Sequence, residues 1–251
     1  MINALMPNHL IRSNPHKCVW LVDASIYVFR AWFVRGQIPY DRTHKPVNAV
    51  RGFMRFVYQL LYEHSPKQLA FAFDTSLQTS ARKDIYPAYK ANREPAPEEL
   101  KYQFQLCRDF ITALGITESA SQHHEADDLV GSWATQQRKN DKQILILSGD
   151  KDLAQLLRHD DLWWDFNRRK PMNDGGIKST FGVWPQQIVD QLAIAGDKTD
   201  NIPGVPGVGM ATAAKLLKRF GSIDQMLMDL DMIGKMQVRG CLLYTSPSPR
   251  D

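Results

Sequence analysis

The chain has 251 residues, 43% of them hydrophobic and 23% charged, and a formal net charge of +4. That balance suits one large globular domain, or a domain with a small appendage, and excludes a chain that is disordered throughout. No apolar run approaches the ~18 residues needed to cross a bilayer, so no membrane-spanning helix is expected.

Residues 1–17 read as a poorly ordered lead-in, without the continuous apolar stretch or small-residue cleavage site of a secretory signal. Cys18–Val22 is a short apolar run suited to a buried strand, and it ends at Asp23. Pro46 opens a helical pattern in which Val50, Phe53, Met54, Val57, Leu60 and Leu61 recur on one face. Leu69–Phe73 predicts a second buried strand, ending at Asp74. Thr75–Glu99 is polar, basic and interrupted by proline, as expected of an exposed excursion. Pro97 starts a helix that reaches about Leu114 and stops at Gly115. Another helix covers Glu125–Arg138, and Ile144–Leu147 predicts a third strand, followed by Ser148, Gly149 and Asp150. Strands alternating with helices predict an α/β layer with a mostly parallel sheet. Cys18, Cys107 and Cys241 are far apart and odd in number, which disfavours a disulfide framework or a zinc site and suits a reducing cytosol.

Each of the three strands delivers an aspartate at or just beyond its carboxyl end. In an open parallel sheet those ends share the edge where ligands bind, so the carboxylates are expected to converge. The acidic set is Asp23; Asp74; Glu125, Asp127 and Asp128; Asp150 and Asp152; and Asp197 and Asp200. So many acids on one edge raise one another's pKa unless cations neutralise them. Oxygen-only ligands point to Mg²⁺ or Mn²⁺. Glu125 and Asp128, three apart on a helix, share a face, and an extended backbone would aim Asp150 and Asp152 the same way. Taken singly, each acid has a plainer role, complementing a helix dipole or capping a turn. Asp23-Ala24-Ser25 lacks the second aspartate that an aspartyl-nucleophile phosphatase needs.

Setting these nine acids aside leaves 18 against 31 Lys and Arg, an excess of 13 positive charges suited to a polyanionic partner. Between Asp74 and Pro97 lie Arg82, Lys83, Tyr86, Lys90 and Arg93, with Tyr89 interleaved. Cations tracking phosphates and aromatic faces accepting bases fit a sleeve for a single strand; a solvated loop is the alternative. Further on, GVPGVG at 204–209 precedes a helix carrying Lys215, Lys218 and Arg219. Glycines ahead of a helix expose backbone N–H groups to phosphate, although an ordinary tight turn fits equally well.

The ordered set VDAS, FD, ARKDIYPAYKANR, EADD, SGDKD and GDKTDNIPGVPGVG resembles the bacterial and phage 5′→3′ exonuclease/flap endonuclease family, over roughly residues 18–240. That family includes the N-terminal nuclease domain of bacterial DNA polymerase I and standalone relatives. The resemblance implies a PIN-like, resolvase-like sheet over 18–175 with a helical arch at about 75–99, then a helix-3-turn-helix region over 176–240. By motif, Asp23, Asp74, Glu125, Asp127 and Asp128 would form a first metal site, and Asp150, Asp152, Asp197 and Asp200 a second. Arg82 and Lys83 would contact the scissile phosphate, and Tyr86, Lys90 and Arg93 would belong to the arch. The backbone around Gly204, Gly207, Val208, Gly209, Met210, Ala211 and Thr212, with Lys215, would grip duplex DNA. Carbonyls of Ile194, Ala195, Pro203, Val205 and Val208 would hold K⁺. The implied protein is a cytoplasmic monomer that cuts DNA near 5′ flaps with two Mg²⁺ or Mn²⁺ ions.

Two departures stand out. Residues 1–17 precede the usual start, with Met6 an alternative initiator, and CLLYTSPSPRD at 241–251 resembles a translated sequencing adapter rather than a family continuation. Competing readings are a PIN-like ribonuclease, a catalytically inactive DNA-binding relative, and the front of a DNA polymerase I.

Overall fold

The computed structural model describes residues 15–75, 80–166 and 168–235. The lead-in up to residue 14 and the 241–251 tail, with Cys241, lie outside the described residues. In chain order the first half comprises β1 (Cys18–Asp23), α1 (Ala24–Trp32), α2 (Asn48–His64), β2 (Leu69–Asp74), α3 (Arg82–Ile85), α4 (Glu98–Ala113) and β3 (Thr117–Ser121). There follow α5 (Ala126–Arg138), β4 (Gln143–Leu147), β5 (Leu162–Trp164), α6 (Asp174–Phe181), α7 (Ile188–Ala195), α8 (Met210–Phe220), α9 (Ile223–Met228) and α10 (Leu230–Lys235).

The sheet runs β3-β2-β1-β4-β5 with every pairing parallel, as the alternating pattern predicts. Successive residues of a strand face opposite sides, and both sides are covered, so the central strands read as unbroken apolar runs. Trp20, Val22, Phe71, Phe73, Leu145 and Leu147 pack on one side with α1, α2 and α4. Val19, Leu21, Ala72, Ile144 and Ile146 pack on the other, with α5, α7 and α8. β1, β2 and β4 are neighbours, so their carboxyl ends meet in the middle of one edge.

β3 and β5 escaped the sequence reading. β3 is the polar edge segment TESAS and β5 has only three residues, so neither presents an apolar run. On α2, Val50, Phe53, Val57 and Leu60 are buried as expected, but Met54 is exposed; Phe56 is buried instead, its ring stacked 4.0 Å from Tyr27. α4 starts after Pro97 and ends before Gly115, whose φ of +69° needs no β-carbon to clear. The expected division at 175/176 falls inside α6. Among the described residues no helix is long and apolar enough to cross a membrane.

Candidate metal centre

The strand ends bring Asp23, Asp74 and Asp150 to one edge. Asp23 is buried at the end of β1, and its carboxylate accepts a 2.8 Å hydrogen bond from the Ser148 hydroxyl. The Asp74 carboxylate accepts the N–H of Ala126 at 2.8 Å, in the first turn of α5, where the helix dipole favours negative charge. Glu125 caps α5, and Asp128 accepts its backbone N–H at 3.0 Å. Asp150 is itself extended, as expected, but the backbone turns at Lys151 and places Asp152 in a 3₁₀ turn. Asp150 caps this turn over Lys151–Leu156, and its carboxylate accepts the Asp152 N–H at 2.9 Å, an Asx turn that satisfies a backbone donor which a straight run leaves open. Asp197 shapes the next loop in the same way, accepting N–H groups from Thr199 and Asp200.

The electrostatics separate two overlapping groups. Burial, then the charges of Asp127 and Asp74, hold the Asp23 carboxyl well above its usual range. Burial and the neighbouring Asp150 and Asp74 push Asp127 up to about 7. Burial and Asp150, with Asp197 and Asp200 beyond, push Asp152 up to about 7. Asp150 is common to all three. The Oδ1 of Asp152 is buried with no hydrogen-bond partner among the described residues. A buried, unpaired carboxylate oxygen among mutually repelling acids fits an oxygen-ligated divalent cation.

Among the described residues, however, no three acids stand close enough to hold an ion as they are placed. Cations of the basic excursion occupy several of these acids. Arg82 reaches Glu125 at 2.9 Å and Asp128 at 3.0 Å, and Lys90 reaches Glu125 at 2.7 Å. Arg93 pairs with Asp200 at 2.6 Å. Burial raises the Glu125 carboxyl, but Lys90 and Arg82 outweigh it and hold the group below its usual range. Burial works against both cations, yet Tyr89 and Glu125 hold each above its ordinary value.

Tyr89 is not a base-stacking platform. It is buried, and its hydroxyl lies 2.9 Å from Arg82 and 3.1 Å from both Glu125 and Asp200, because a buried phenol needs polar partners. Tyr86 stays exposed, and Lys83 makes no ion pair among the described residues. Of the expected helical arch, α3 is the one helix formed between 80 and 97, and turns fill the rest.

The glycine-rich turn forms as the backbone demands. A β-carbon on Gly204 would fall 2.2 Å from the carbonyl carbon of Ala195, and Gly207 has φ +77°. Gly209 caps α8, so the N-terminal backbone of Met210–Thr212 opens that helix, with Lys215 exposed one turn on. Of the five carbonyls implied for K⁺, that of Ile194 accepts the Val205 N–H at 2.8 Å and that of Val205 accepts the Val208 N–H at 3.0 Å. Each keeps a second lone pair. The loop also meets the excursion: the Lys90 N–H donates to the Asp200 carbonyl, and the Asn201 amide donates to that of Ala88.

Residues 18–182 match the 5′-3′ exonuclease N-terminal resolvase-like domain, and residues 183–244 match the 5′-3′ exonuclease C-terminal SAM fold. The chain belongs to the 5′-3′ exonuclease family, nucleases that hydrolyse DNA. It is 36% identical over 218 residues to a 5′-3′ exonuclease of Aquifex aeolicus, covering 84% of this chain and 72% of that protein. It is 33% identical over 255 residues to DNA polymerase I of Rhizobium leguminosarum, covering 95% of this chain. The chain spans about a quarter of the length of that polymerase, and the same holds for the Bacillus caldotenax DNA polymerase I. Among solved structures it is similar to T5 5′-exonuclease with bound zinc, at TM-score 0.67 and 22% identity over 87% of this chain and 79% of that one. The catalytic core of Rad2 with a DNA substrate gives TM-score 0.57 and 16% identity over 92% and 69%. These two likenesses establish the resolvase-like fold.

Ser148 and Tyr89 lie inside the SGDKD and ARKDIYPAYKANR motifs, but nothing in the sequence signals that they hold Asp23 and join Arg82 to Glu125. Gly149 also has a packing duty: a β-carbon there would fall 1.8 Å from Nη2 of Arg30.

The raised carboxyls of this exonuclease-family edge make stability depend on pH. Asp127 and Asp152 titrate near 7 when folded and near 3.8 when free, so their ionisation disfavours the fold. That contribution is fully present below the free value and is lost as pH rises through about 7. Melting in EDTA should therefore fall between about pH 5 and pH 8. Added Mg²⁺ should raise the melting temperature more at the upper end of that range. An equal Mg²⁺ gain at both ends would detach these acids from metal binding.

Proposed function

We propose that the chain is a divalent-metal-dependent 5′→3′ exonuclease and flap endonuclease that hydrolyses DNA phosphodiesters near 5′ flap junctions. The observation that carries this reading is the mutual crowding of Asp23, Asp127 and Asp152 around Asp150, beside an Asp152 oxygen without a partner among the described residues. Asp23, Asp74, Glu125, Asp127 and Asp128 are suited to one Mg²⁺ or Mn²⁺ ion. Asp150, Asp152, Asp197 and Asp200 are suited to a second. When bound, such a pair activates a water and stabilises the leaving oxygen of an in-line displacement.

The rest falls to side chains of this chain. Arg82 and Lys90 neutralise Glu125 and Asp128, and with divalent ions held by those acids the Arg82 guanidinium would be free to meet the reacting phosphate. Lys83, without an acidic partner among the described residues, is placed to join it. The Gly204–Thr212 backbone and Lys215 hold the duplex, with K⁺ at the carbonyls of Ile194, Ala195, Pro203, Val205 and Val208. Tyr86 and Arg93 line the path of the single strand. The protein acts as a cytoplasmic monomer. The T5 D15 flap endonuclease crystallised with DNA and metal ions shares this fold at TM-score 0.65, which supports the reading.

Duplex DNA carrying a labelled 5′ single-stranded arm tests it. With Mg²⁺, one cut near the junction should leave a 5′-phosphate and a 3′-hydroxyl, and EDTA should stop it. Intact substrate in the presence of folded protein and Mg²⁺ would refute the proposal. Within the same assay, Arg82→Ala should slow single-turnover cleavage about 100-fold, a loss of ~3 kcal/mol of transition-state stabilisation, with a smaller change in duplex affinity. Matching losses in rate and affinity would make Arg82 a plain phosphate contact.

A further inference from the structure

β5 is the edge strand at one end of the sheet, and the chain does not stop at its carboxyl end. It passes the strand end, turns, and returns so that Met172 pairs antiparallel with Trp163 through backbone hydrogen bonds of 2.8 and 2.9 Å. The result is a small hairpin tip on the same edge as Asp23, Asp74 and Asp150.

The tip is firmly built. The Asp165 carbonyl accepts the N–H groups of Arg168 and Arg169 at 3.1 and 3.0 Å, and the Trp164 indole donates to the Arg169 carbonyl at 2.7 Å. The Asp165 carboxylate is gripped by both terminal nitrogens of Arg30, one of them at 3.0 Å. The same guanidinium lies against Gly149, next to Asp150, so the tip and the loop bearing Asp150 share an anchor.

On that frame stand Arg168, Arg169 and Lys170, consecutive and all exposed. None has a carboxylate partner among the described residues, and Arg169 rests over the Phe181 ring at 5.9 Å. Elsewhere on this edge Arg82, Lys90 and Arg93 are occupied by Glu125, Asp128 and Asp200. Three adjacent like charges repel one another, and no ion pair among the described residues offsets that cost.

We propose that Arg168 and Lys170, flanking Arg169, form a further DNA-backbone contact on the β5 flank of the carboxylates. The inference rests on the DNA-hydrolysing reading above. The basic excursion is rooted at the opposite flank, where the Ala81 N–H bonds to the carbonyl of His123, two residues past β3. Four strand spacings separate the flanks, roughly 19 Å. That is the length of about five or six base-pair steps, so DNA lying across the acids reaches the tip. The interaction is with phosphate and is blind to sequence.

The test measures affinity for a flapped duplex against KCl concentration, with Ca²⁺ in place of Mg²⁺. Each phosphate contact contributes about 0.9 to the slope of log affinity against log salt. R168A/K170A should flatten the slope by about 1.8 and weaken binding at least about tenfold at low salt. K67A/K139A removes two exposed cations from the opposite edge of the sheet and should leave the slope as in the unmodified chain. Melting curves confirm that both variants fold, and R168Q/K170Q serves if the alanine pair does not. An unmodified chain without salt-dependent binding would sink the functional reading and this site together. A steep slope that R168A/K170A reproduces, or that K67A/K139A flattens equally, would overturn the site alone.

Discussion

Asp150→Asn is expected to abolish or severely cut cleavage while DNA binding stays intact or tightens. Asp150 is the acid whose charge is felt by Asp23, Asp127 and Asp152 alike, so it sits where the two carboxylate groups meet. Replacing its charge weakens any divalent ion held there and lessens repulsion of phosphate, which drives rate and affinity in opposite directions. The substitution keeps the oxygen that accepts the Asp152 N–H, so the turn should survive with at most ~1 kcal/mol lost. Relief of its neighbours should even raise the melting temperature in EDTA near neutral pH. A merely capping aspartate would lose a little stability and keep its rate per folded molecule. Melting, a binding titration in Ca²⁺ and single-turnover cleavage in Mg²⁺ separate the two, and near-normal cleavage would remove Asp150 from the centre.

Gly204→Ala should disrupt the glycine-rich turn proposed to hold the duplex. The added methyl would meet the carbonyl carbon of Ala195 at 2.2 Å and the backbone N of Gly196 at 2.4 Å. These are main-chain atoms that cannot swing aside, so the loop must open and lose the Val205 to Ile194 hydrogen bond. Overpacking of this kind costs about 3 kcal/mol. Gly175→Ala is the matched control, because a β-carbon there meets nothing nearer than Oδ1 of Asn173 at 3.6 Å. Equal melting temperatures and duplex affinities for the two variants would contradict the packing described.

The three central strands were legible because burial on both faces writes an unbroken apolar run, with an aspartate at the end of β1 and β2 and three residues beyond β4. β3, polar and at the edge, and β5, three residues long, offer no such run, so the hairpin tip beyond β5 went unseen with them. Spacing located the acids but not their company. Tyr89, read as a face for bases, is buried among Arg82, Glu125 and Asp200, a contact between residues as much as 111 apart in sequence. Likewise Asp150 and Asp152 were read as extended neighbours, whereas a local hydrogen bond folds the chain after Asp150 into a turn. Local patterning reports which face is buried; it does not report which distant cation answers a buried acid.

A carboxylate edge that is a divalent-cation centre binds a countable number of ions. Titration of the metal-free protein with Mn²⁺, followed by the electron paramagnetic resonance of the free ion, should give two ions per chain, and Asp152→Asn should lower the count or weaken one site. Saturation with no stoichiometric binding, or a count unchanged by Asp152→Asn together with Asp127→Asn, would contradict the account.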